Sequence, residues 1–135
     1  MKSARNKWNH TESFKHFGTT PRNINWSWSA RNEDTKTVVL TLWQDRFKKE
    51  EGKLTYIGPG LDASKRTSPG LPEMIQNLVW AREHCDGKFH VISAKPKDPK
   101  AQPRSIDECF PTKMVMQLLE LNEHTGAFRA VLVES

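Results

Sequence analysis

The chain has 135 residues and a mass of 15.6 kDa; 36% of the residues are hydrophobic, 27% charged and 9% aromatic, and the net charge is +5. That length fits one domain spanning 1–135, and a mean hydropathy of −0.73 with five tryptophans describes a polar but folded chain. No repeat, heptad pattern or apolar run of ~20 residues is present, which excludes a solenoid, a coiled coil and a spanning helix. Two cysteines, Cys85 and Cys109, make no disulfide framework, and residues 1–10 lack the apolar stretch of a signal peptide. The expectation is a cytoplasmic domain, monomeric or homodimeric and without membrane contact, whose residues 1–10 form a flexible basic arm.

The positive charge is segregated. Residues 1–31 carry six basic and one acidic side chain, and residues 88–104 carry five and one, whereas residues 105–135 carry two and five. A smaller basic cluster, Lys65-Arg66, lies in the segment between. Segregation of this kind makes a basic face that concentrates polyanions.

In chain order, the first element is a short helix over residues 11–17. Thr11 caps its start, Phe14 and Phe17 share a face, and Gly18 suits its end. Asn25–Arg31 then alternates Trp26, Trp28 and Ala30 with Ser27, Ser29 and Arg31, and Lys36–Trp43 is β-branched and apolar. With turn chemistry at residues 32–35, the two segments predict a β-hairpin. A four-residue loop there sets Trp28 opposite Val39 and Trp26 opposite Thr41, with Trp43 farther along the same face.

Lys53–Ile57 reads as a short strand, followed by a polar loop bracketed by Gly58-Pro59-Gly60 and Ser68-Pro69-Gly70. The strongest periodicity comes next. Leu71, Met74, Ile75, Leu78 and Val79 recur at helical spacing, so a main helix is predicted over 71–86, closed by Asp86-Gly87. Trp80 points away from that stripe, and cover by the N-terminal segment around Trp8 and Phe14 is expected.

Phe89–Ala94 reads as an interior strand. Lys95–Arg104 contains three prolines and is irregular, and Ser105-Ile106-Asp107-Glu108 matches a capping box, predicting one helical turn to Phe110. Residues 113–121 and 127–133 form a second hairpin. Its first strand is apolar on both faces, with Val115, Leu119 and Leu121 against Met114, Met116 and Leu118, which suits burial on both sides or a subunit contact. The fold class is therefore α+β, with a mainly antiparallel, curled and barrel-like sheet, one main helix and a short N-terminal helix. This plan, with paired tryptophans and basic loops, resembles in architecture the PUA-like readers of modified bases.

Three chemistries follow from these residues. The best supported is a non-enzymatic nucleic-acid-binding domain, with DNA or RNA as partner. Arg31, Lys65, Arg66, Lys95, Lys97, Lys100 and Arg104 hold phosphates, while Trp26, Trp28 and Trp43 offer indole faces to a base. The enzyme alternative is a Mg²⁺-dependent nuclease using Asp45, Glu51 and Lys53, two carboxylates for the ion and a lysine for the water or phosphate. The third is a protein-interaction or regulatory module built on the C-terminal hairpin. Structural zinc is not expected, because His84, Cys85 and His90 lack ligand spacing. Cys85 on the apolar stripe and Cys109 behind two acids are poor nucleophiles, and no phosphate-binding glycine loop is present. No cofactor is implied.

Overall fold

The computed structural model describes residues 9–21, 27–58, 70–100 and 106–134. The N-terminal helix α1 runs His10–His16, one residue earlier than Thr11 would start it. Asn9 is the cap: its side chain accepts from the Glu12 amide at 2.7 Å, and Glu12 reaches back to the Asn9 amide. Residues 9 and 10 thus belong to the helix and not to the basic arm. Gly18, at φ 73, closes the helix as expected.

Strands β1 (Ser29–Asn32) and β2 (Thr37–Trp43) form the first hairpin. The Asn32 side chain accepts from the Asp34 and Thr35 amides, and Lys36 adopts a left-handed φ of 55, so the loop comprises 33–36 rather than 32–35. The register consequently moves by two residues. Ala30, not Trp28, faces Val39, and the Trp28 carbonyl accepts from the Thr41 amide at 2.8 Å. A shift of two preserves the face, so Trp28 and Trp43 remain on one side of the sheet.

After β2 the chain makes a 3-10 turn, Gln44–Arg46, and enters a strand that periodicity did not predict, β3 (Phe47–Glu50). It pairs antiparallel with β4 (Lys53–Gly58) across a Glu51-Gly52 turn with φ of 52 and 81. The main helix α2 spans Gly70–His84. Strands β5 (Lys88–Pro96), β6 (Ile106–Leu121) and β7 (Phe128–Glu134) complete the fold. The expected helical turn ending at Phe110 is instead the start of β6, where Glu108, Cys109 and Phe110 pair with Lys95, Ala94 and Ser93. Sheet pairing outweighs the local capping signal there.

All seven strands join one sheet in the order β1-β2-β5-β6-β7-β4-β3. Among the described strands only β2 and β5 run parallel. The 3-10 turn links β2 to β3 in three residues although β5, β6, β7 and β4 lie between them in the sheet. The sheet therefore curls until β3 returns towards β2, and the Trp43 amide donates to the Tyr56 hydroxyl of β4 at 3.2 Å across that curl. The fold is α+β with a curled, open sheet.

Each face has its own core. α2 packs Met74, Leu78 and Ala81 against Val38, Leu40, Leu42, Phe89, Val91 and Met116. On the other face α1 packs Phe14 against Val39, Trp43, Ile92, Ala94 and Cys109, with Trp28 at the margin. Trp28 and Trp43 thus pack on the α1 side of the sheet. Cys85 and Cys109 are free thiols associated with opposite faces.

Candidate functional site

The parallel pair determines which residues meet. From Val39↔His90 to Trp43↔Ala94, β2 and β5 run side by side and finish at the same end of the sheet. Because β1 and β6 are antiparallel to these neighbours, Trp28 before β1 and Ile106 at the start of β6 lie at that end too. Lys95 lies at the end of β5 just before Pro96, and Lys97 and Lys100 follow on either side of Pro99. α/β sheets place ligands beyond the carboxyl ends of parallel strands, where side chains from separate elements converge around irregular backbone.

The aromatic part of this end is layered. The Trp28 and Trp43 rings lie 5.4 Å apart with a tilt of 55°. His10 of α1 stacks on Phe14 at 4.7 Å and meets Trp28 edge-on at 6.4 Å, while its Nε2 is 2.7 Å from the Thr41 hydroxyl. Burial pushes the His10 imidazole down to about 4, so it is neutral at pH 7 and adds no charge for an anion. Trp43 is only 9% exposed and is a core residue, which leaves too little indole for a base. Trp28 is half-buried.

The cations differ in freedom. Lys95 Nζ sits 3.9 Å from the Glu108 carboxylate, at the outer limit of an ion pair. Lys97 and Lys100 are exposed and form no ion pair among the described residues. The nearby Asp98 carboxylate accepts from the Lys100 amide at 2.9 Å, which turns it into its own loop.

Other expected site residues lie elsewhere. Arg31 is at the far end of β1, opposite Val38, with its guanidinium 5.5 Å from the Trp80 ring centre. It also pairs with Glu33 at 2.9 Å and donates to Asn77 at 3.4 Å, so it is committed to holding α2 against β1. Trp80 is flanked by Arg31 and by His84 at 4.6 Å; Phe14, its expected cover, belongs to the opposite face. Trp8, Trp26, Lys65, Arg66 and Arg104 fall outside the described residues.

The nuclease constellation does not assemble. Asp45 precedes β3 and Glu51 follows it, so four extended residues, on the order of 13 Å of backbone, lie between them. Lys53 is exposed at the same hairpin tip as Glu51. No group of three or more His, Cys, Asp or Glu able to hold a metal occurs among the described residues. His84 stacks beside Trp80, Cys85 donates to the Lys36 carbonyl, and His90 stacks on Phe17 at 5.1 Å. Burial raises both thiols above their ordinary value, which disfavours the reactive thiolate.

Two residues escaped the sequence reading. Arg46 lies in the 3-10 turn beside β5, and Phe110, read as helical, projects from β6 with 41% of its surface exposed. The alternation of buried Cys109 with exposed Phe110 carried that signal, masked by the capping box. At the far end of β6 lies an open cleft of about 930 Å³, lined by Ile57, Phe128 and Arg129 among others. Of its charged groups, Glu123 pairs with Arg82 and Arg129 pairs with Glu50, and Glu120 lines it as well.

Among the described residues no helix is long and apolar enough to cross a membrane. No protein-family model matches the chain, and neither a curated protein nor a solved structure matches it.

Proposed function

We propose that the protein binds nucleic acid at the end of the sheet where β2 and β5 finish. One observation supports this reading above the others: Lys95, Lys97 and Lys100 follow one another at the end of the sheet where Trp28 precedes β1, although 67 residues separate Trp28 from Lys95. Two exposed ammonium groups without carboxylate partners among the described residues, and a third held loosely by Glu108, are suited to phosphate as mobile point charges. Pro96 and Pro99 restrict the intervening backbone, so less entropy is lost when the loop settles on a ligand.

The reading predicts a steep salt dependence. Three neutralised phosphates give a slope of about two to three in log affinity against log salt, a loss of roughly 15- to 40-fold between about 50 and 200 mM. Fluorescence anisotropy with labelled single- and double-stranded DNA and RNA measures it directly. Absence of binding to all four at the lower salt would refute the proposal.

A further inference from the structure

Among the described residues four large hydrophobic side chains are strongly exposed: Ile57 at 45%, Phe110 at 41%, Leu119 at 53% and Val133 at 48%. Ile57, Leu119 and Val133 belong to β4, the C-terminal half of β6 and β7. Phe110 alone is aromatic, and it alone lies at the lysine end of the sheet.

Its surroundings leave the ring partly uncovered. Cys109 is buried under α1, so the next residue of the strand projects from the opposite face. Directly across is Ser93, too short to cover a phenyl ring, and the next rung on the same face is the Lys95–Glu108 pair. The diagonal from Phe110 to Lys95 spans about 7–8 Å between backbones, within reach of a lysine side chain. A flat apolar surface and a cation are thereby offered together.

We propose that Phe110 stacks on an unpaired base while Lys95 holds its phosphate, making the ligand of this interface a single strand. The inference rests on the nucleic-acid reading above and deepens it. A base within a duplex is covered on both faces by its neighbours, whereas a single strand offers a free π-face for an aromatic ring. Phosphates placed by lysines carry no preference between strands, so the discrimination comes from the phenyl ring.

The test compares a twelve-nucleotide oligothymidine and oligouridine with a duplex of the same length, using the full chain. Wild type is expected to bind the single strands more tightly than the duplex at equal salt. Phe110→Ala and Phe110→Leu should each weaken single-strand binding by about tenfold, leaving duplex binding and the salt slope unchanged. Phe110→Trp should retain affinity, and Phe110→Leu keeps the apolar bulk should the alanine variant be unstable. Wild-type affinity in Phe110→Leu, or equal affinity for the duplex, would overturn the stacking role. If Lys97→Ala/Lys100→Ala loses binding while both Phe110 variants keep it, stacking fails and the nucleic-acid reading stands. If no oligonucleotide binds at about 50 mM salt, both fail together.

Discussion

The two faces of the sheet are closed by helices of different size and chemistry. α2 has 15 residues and seals an apolar cluster running through Leu40, Val91 and Met116. α1 has seven and brings polar groups inward: His10 to Thr41, and Ser13 to within 4.0 Å of Cys109. A helix that short does not persist alone in water; its capping box and the fully buried Phe14 hold it in place. The α2 face therefore carries most of the apolar core, while the α1 face combines a thin core with titratable groups at the end of the sheet proposed as the interface.

The largest expected effect tests the α2 side. Leu78 is fully buried, and Leu78→Ala removes its side chain from that core. We expect a loss of about 3–4 kcal/mol in urea unfolding, much the same at pH 5 and pH 7. A loss below about 1 kcal/mol would show that α2 is not the main seal.

The α1 side should instead respond to pH. His10 falls to about 4 when folded against an ordinary 6.5, so the unfolded chain takes up the proton first as pH drops. The stability from neutral His10 is full above about pH 6.5 and is lost progressively as pH falls to about 4, up to about 3 kcal/mol. Burial lowers His90 as well, opposed by the Glu134 charge, and it acts in the same direction. Urea unfolding across this window should show a shallower pH dependence in His10→Gln than in wild type. Parallel curves would remove His10 as the source.

A smaller effect sharpens the boundary between the faces. Asn77 is buried on α2 and donates to the Ser29 hydroxyl of β1 at 2.7 Å. Asn77→Ala leaves that hydroxyl short of a partner and should cost about 1–2 kcal/mol, read as a shift in the urea midpoint. It should leave oligonucleotide affinity unchanged, because Arg31 and Asn77 are remote from the lysine end.

Much of this architecture was legible because its signals are local. α2 announces itself in the Leu71-Met74-Ile75-Leu78 spacing, and the alternation around Trp28 and Val39 places both on one face even though the register differs by two. What escaped depends on distant partners. Phe47–Glu50 reads as a charged run, yet it becomes an edge strand, with exposed Lys48 and Lys49 discouraging further pairing. Residues 106–110 follow β5 rather than their capping box, and Pro111 is accommodated where the β5–β6 register is irregular. At the site, the lysine loop was recognisable from composition, but its position at the same end of the sheet as Trp28 follows from the parallel β2–β5 pairing. Trp43 and Arg31 show the limit of composition: residue type suggested a ligand, while burial committed one to the core, and Asn77 and Trp80 tie the other to α2.

The smallest expected change in stability accompanies the most direct test of function. Replacing Lys95, Lys97 and Lys100 together by alanine removes three exposed cations, and each such change is worth within about 0.5 kcal/mol of stability. The decisive measurement is the salt dependence of oligonucleotide binding by this triple variant beside wild type. A slope reduced by about two to three, with weaker binding and a nearly unchanged melting curve, is the predicted result. An unchanged slope and affinity would contradict the proposal that this end of the sheet holds the phosphates.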